Sequence, residues 1–192
     1  MKEMFYDLNY IDDNKEVKSF NLYKNKVIVL FNFAIHSSFT DQYFKKIELL
    51  NKLNSNSPLK IIGFPNSSFF KQNEEDLKKT KKYLIDNYQI SFDIASKIED
   101  EPLNNLLFYK LSSIKKFQGF NLFHPLSNTI SNYWISKDPL YDKKEGIKWV
   151  YTTFIISKEG KVKRRFECVD GFTSIAKEIN KELNKWIIFK NV

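Results

Sequence analysis

The chain has 192 residues, 42% of them apolar, and 31 lysines and arginines against 23 aspartates and glutamates leave a formal charge of +8. Its 18 Phe and 10 Tyr supply a buried core and exclude a disordered chain, and no run approaches the ~20 apolar residues of a spanning helix. The lysines are scattered among asparagines, so the densest runs, 78–82 and 161–165, read as solvated faces rather than a nucleic-acid footprint.

Phe5–Leu8 and Glu16–Ser19 read as a small hairpin turning at Asp12-Asp13-Asn14. Val27–Ala34 is a buried strand, an apolar, β-branched and aromatic run too short for a spanning helix. A polar turn, His36-Ser37-Ser38, leads into a helix over Asp41–Leu53, with Tyr43, Phe44, Ile47, Leu50 and Leu53 at helical spacing. Asn54–Pro58 ends it, and Lys60–Pro65 is a second buried strand. A loop from Asn66 to Asn73 precedes a helix over Glu74–Asn87, and Ser91–Ala95 fits a short strand. Pro102–Ser113 reads as a helix with Leu103, Leu106, Leu107 and Leu111 on one face.

Residues 115–146, with Gly119, Pro125, Pro139 and Gly146, read as a long inserted loop, and loops of that length tend to be functional or interfacial. Trp149–Ile156 is an apolar strand, Lys158-Glu159-Gly160 a turn and Val162–Glu167 its hairpin partner. Thr173 is placed to cap a terminal helix with Ile175, Ile179 and Leu183 inward, ending at Trp186–Phe189. The order βαβα…ββα, without repeat or linker, predicts one α/β domain over 1–192 with a central mixed sheet flanked by helices.

The chemistry-bearing residues are few. A single cysteine, Cys168, excludes an internal disulfide. The two histidines, His36 and His124, lie far apart in sequence, and no metal site or cofactor is expected. The basic run before Cys168 is of a kind that lowers a thiol pKa, whereas an ordinary half-buried hairpin cysteine is the plainer reading. The N-terminus lacks the apolar core and small-residue cleavage site of a secretory leader, so a cytoplasmic protein is expected.

Asn32, Ala34, Phe39 and Thr40 match the signature around the reactive residue of the glutathione peroxidase family, which the chain resembles over nearly its whole length. Tyr23–Val27, Gly63–Gln72, Ile147–Phe154, Glu159–Val162 and Arg165–Glu167 resemble further family segments in the same order. Asn25 stands where the family has Gly and also tolerates positive φ. The resemblance implies a thioredoxin-like fold and reduction of hydroperoxides by a cysteine or selenocysteine that glutathione or thioredoxin restores.

The family's reactive residue is helped by Gln, Trp and Asn. Ser37 stands at the nucleophile position, Gln72 on the Gln, Trp149 on the Trp, and Val150 replaces the Asn. The counterpart of the family's second, resolving cysteine lies near Ile85 in a helix without cysteine, and Cys168 sits where the family has proline. Ser38 replaces Gly, and Asn66-Ser67-Ser68 replaces Cys-Asn-Gln.

A serine hydroxyl stays protonated near neutral pH and cannot be oxidised as a thiolate can, so the expectation is a degenerate pseudo-enzyme that holds a thiol compound or protein partner. The alternatives are an active enzyme whose cysteine was replaced by Ser37 in the laboratory, or weak redox activity through Cys168. Several substitutions at one pocket suit drift better than engineering. A hydrolase built on Ser37 would need a base, yet His36 is its immediate neighbour and no Gly-x-Ser-x-Gly elbow is present. Since the 115–146 segment lies where some family members carry an assembly loop, both a monomer and a homo-oligomer fit.

Overall fold

The computed structural model describes residues 5–69 and 76–183. A 3₁₀ turn, Phe5–Asp7, precedes a two-stranded hairpin of β1 (Asn9–Ile11) and β2 (Val17–Ser19). Next come β3 (Val27–Phe33), α1 (Thr40–Leu53), β4 (Leu59–Pro65), α2 (Leu77–Tyr88), β5 (Asp93–Ile94) and α3 (Pro102–Ile114). They are followed by α4 (Ser127–Lys137), β6 (Thr153–Ile156), β7 (Val162–Phe166) and α5 (Phe172–Glu182).

The central sheet has five strands in the order β5-β4-β3-β6-β7. β3, β4 and β5 run parallel, and β6 and β7 return antiparallel, so the sheet is mixed, as expected. A parallel pair needs a crossover, which α1 supplies between β3 and β4. All seven residues of β3 are buried because the sheet is covered on both faces. Alternation sends Val27, Val29, Phe31 and Phe33 into a core with Phe44, Ile47 and Ile179, and Ile28 and Leu30 into a second core with Leu107, Phe108 and Leu111.

Gly63 of β4 is fixed by this packing. A Cβ there would lie 2.9 Å from the Phe31 ring, 3.1 Å from Phe33 and 3.2 Å from Ile94. Asn25 takes φ +64°, the left-handed conformation expected where the family has Gly. Among the described residues no helix is long and apolar enough to cross a membrane.

Several expected elements shift. The first strand of the hairpin is Asn9–Ile11, not Phe5–Leu8, because Phe5 and Tyr6 belong to the 3₁₀ turn and pack into the second core. The segment 115–146 is not one irregular loop, since it contains α4. That helix is poor in strong helix formers, so its apolar contacts hold it: Ile130 is buried and Trp134 stacks on Tyr141 at 5.7 Å.

In α3 the inward residues are Leu107, Phe108 and Leu111, while Leu106 is exposed, as is Leu53 at the end of α1. Asp76, accepting from the Lys79 amide, caps α2. Gly171 rather than Thr173 occupies the N-cap of α5. β5 is two residues long, shorter than Ser91–Ala95. Trp149–Thr152 is a turn ahead of β6 rather than its beginning, because Tyr151 takes φ +64° and breaks the extended path. The terminal turn at Trp186–Phe189 lies outside the described residues.

Candidate active site

β3 ends at Phe33, and Ala34–Phe39 turns the chain into α1. Thr40, the first residue of that helix, accepts the Ser37 amide on Oγ1 at 3.1 Å and donates to the Ala34 carbonyl at 2.9 Å. The Tyr151 hydroxyl closes the triangle, 2.7 Å from the Ala34 carbonyl oxygen and 3.0 Å from Thr40 Oγ1. Ser37 Oγ, half-buried, accepts the Phe39 amide at 3.4 Å. Ser37 is therefore seated at the positive end of the α1 dipole, where an anion is stabilised. His36 is exposed, and its ring lies 6.3 Å from that of Tyr83 on α2.

The turn Trp149–Thr152 docks on the same end of β3 through Asn32. The Asn32 side-chain amide donates to the Trp149 carbonyl at 3.0 Å, and its Oδ1 accepts the Thr152 amide at 2.9 Å. The Tyr151 amide donates to the Asn32 carbonyl at 2.7 Å. Buried amides are costly unless satisfied, which explains why a polar Asn sits inside an apolar strand.

Trp149 is buried between the rings of Phe69 and Tyr133, each 5.4 Å away. Val150 is wholly buried in the first core and has no polar side-chain atom to turn toward the site. Asn66, whose amide donates to the Phe33 carbonyl at 2.8 Å, starts the neighbouring loop at this end of the sheet. Gln72, in that loop, lies outside the described residues.

A buried chain of polar groups supports the turn. Thr152 Oγ1 donates to Glu167 Oε2 at 2.9 Å, and Arg165 Nε binds Glu167 Oε1 at 2.5 Å. The Arg165 side chain is 5% exposed and also donates to the Lys115 and Gly146 carbonyls. Burial pushes the Glu167 carboxyl up, against the opposing pull of Arg165 and Thr152. The sequence signal is a pair of opposite charges two residues apart on the expected strand Val162–Glu167, although β7 itself ends at Phe166.

Cys168 follows directly, half-buried and unpaired in any disulfide. Burial, and then the carboxylates of Glu167 and Asp170, push its thiol well above the ordinary range. This environment fits the plainer reading of a half-buried cysteine and runs opposite to the alternative in which the preceding basic run lowers its pKa.

A family model described as "Glutathione peroxidase" matches residues 5–111. The "Glutathione peroxidase-like peroxiredoxin 1" of Saccharomyces cerevisiae is 30% identical over 184 residues, covering 94% of this chain and 95% of that protein. The "Glutathione peroxidase" of Lactococcus lactis subsp. cremoris is 28% identical over 162 residues, 84% of this chain and 88% of that one. Among solved structures, that titled "Crystal structure of T. cruzi GPX1" superposes with TM-score 0.60 at 16% identity, covering 97% of this chain and 100% of that one. A thioredoxin family protein from Chlorobium tepidum superposes with TM-score 0.61 at 12% identity, over 95% and 99%. Carried on this thioredoxin-like fold, the chain belongs to the glutathione peroxidase family.

Proposed function

We propose that this family member has kept the peroxidase scaffold and lost the peroxidase reaction, its site around Ser37 and Trp149 serving to hold a thiol compound or a protein partner. The observation that carries the reading is Ser37 at the N-terminus of α1, its hydroxyl accepting the Phe39 amide within the turn. Hydroperoxide reduction needs a thiolate. Its sulfur attacks one peroxide oxygen, the O–O bond breaks, the leaving oxygen takes a proton, and a sulfenic acid remains for a thiol donor to reduce. A serine hydroxyl is not ionised near pH 7, and its oxygen has no counterpart of the sulfenic state.

Val150 compounds the loss, since a wholly buried valine supplies no hydrogen bond where the family has Asn. Redox activity through Cys168 is opposed by its raised thiol pKa and its two carboxylate neighbours. The test is consumption of hydrogen peroxide and of a lipid hydroperoxide with glutathione and with thioredoxin. The native chain is expected to show no turnover above the uncatalysed rate. Turnover that Cys168→Ser abolishes would overturn the reading. Activity gained by Ser37→Cys would mean that only the nucleophile is missing, and an inactive Ser37→Cys would place part of the loss at Val150 and Ser38.

A further inference from the structure

We infer that the tip of the segment before α4, Leu122-Phe123, inserts into the surface of an anionic lipid bilayer, with the neighbouring cations set against its headgroups. Phe123 is 98% exposed and Leu122 78%, whereas Phe117 and Phe120 of the same segment are buried against each other at 4.8 Å. Single exposed apolar residues are ordinary; two in succession on a braced tip are not. Asn121 Oδ1 accepts the Phe123 amide at 3.1 Å, and the Asn121 carbonyl accepts the His124 amide at 3.0 Å and the Ser127 hydroxyl at 2.5 Å. The His124 ring packs on Phe39 at 5.9 Å. These contacts hold the tip out in water instead of letting it fold back.

Charge selects the occupant. Gly119 and Asn121, at the base of the tip, line a cleft of about 770 Å³ together with Lys115, Lys116, Lys163 and Arg164. Asp170 is the one carboxylate among its lining residues. An apolar wedge beside cations matches the two layers of a bilayer surface, acyl chains beneath anionic headgroups. A second copy of the chain would bring the same cations to the same face and be repelled. The contact between His124 and Phe39 puts the tip at the Ser37 end of the molecule, and the inference holds whether or not Ser37 supports chemistry.

Flotation of the full chain with extruded vesicles tests this, using phosphatidylcholine alone and phosphatidylcholine with added phosphatidylserine. Binding about tenfold stronger to the anionic vesicles, weakening with added salt, is expected. Leu122→Ser/Phe123→Ser is expected to lose about tenfold or more of that binding while keeping its melting temperature, because neither side chain is packed. Lys116→Glu/Arg164→Glu is expected to lose the salt-sensitive part. No binding to anionic vesicles, or equal binding by the Leu122/Phe123 double variant, would overturn the inference. So would self-association in sedimentation velocity that the same variant dissolves, since a second copy would then be the occupant.

Discussion

Tyr151 sits at φ +64°, a region that strains bulky side chains, and its hydroxyl is bound to Ala34 and Thr40 in the turn that carries Ser37. The residue resembles the family's Phe at this position, with an added oxygen. Tyr151→Phe removes both hydroxyl contacts while Thr40 still satisfies the Ala34 carbonyl. A loss of about 1 kcal/mol is expected, read as a melting temperature lower by about 2–4 °C in a thermal scan. Cys168 behaves differently. Burial and two carboxylates hold its thiol well above the ordinary range, which disfavours the thiolate. Iodoacetamide at pH 7.5 is expected to label it at least about tenfold more slowly in the native chain than in the urea-unfolded one, followed by mass spectrometry. Neither property was legible in the sequence. Tyr151 reads as one more aromatic in an apolar run, and the basic residues before Cys168 point the wrong way until Glu167 and Asp170 are seen beside it.

At the level of elements, what the sequence disclosed follows how completely a segment is buried. β3 and α1 stood out because burial on both faces forces a continuous apolar run and burial on one face forces helical spacing. α4 was hidden by its Ser and Asn residues and by contacts, such as Trp134 on Tyr141, that local spacing does not encode. At the site, Ser37 and the turn it stands in were readable, while the Asn32–Thr152–Glu167–Arg165 chain was not, because three different segments build it.

Two predictions belong to this level. In β4, Gly63→Ala drives a methyl against the Phe31 ring at 2.9 Å, with Phe33 and Ile94 leaving no room to yield. A cost of about 1–3 kcal/mol is expected from urea midpoints. In the β1–β2 hairpin, Asp12 Oδ1 accepts the amides of Asn14 and Glu16, each at 2.9 Å. Burial pushes this carboxyl up, but those amides and the Lys18 ammonium outweigh it and hold it below the usual range. A depressed carboxyl stabilises the fold above the unfolded-state pKa, and the contribution is lost as pH falls through the folded value. Asp12→Asn is therefore expected to lower stability at neutral pH and to flatten the acid limb below about pH 4, in urea melts across that range.

For the molecule as a whole, the decisive fact is that β3 contributes to both cores at once. Neither core survives without the strand that the other also needs. Unfolding is expected as one transition, with tryptophan fluorescence and far-ultraviolet circular dichroism coinciding. Phe44→Ala on one side and Phe108→Ala on the other should each cost about 3–5 kcal/mol and move the same single midpoint. Separate transitions for the two probes would show that the layers melt independently.

The two ends of the sheet carry a last consequence. One border is β5, only two residues long, and the other is β7, whose middle residues are Lys163, Arg164 and Arg165. A stub offers too few backbone groups to template a newcomer, and Lys163 and Arg164 set two cations along the other border, Arg165 being buried against Glu167. Among the described residues, both borders of the five-stranded sheet thus resist growth by an added strand, and a copy approaching either one meets a short edge or a pair of cations.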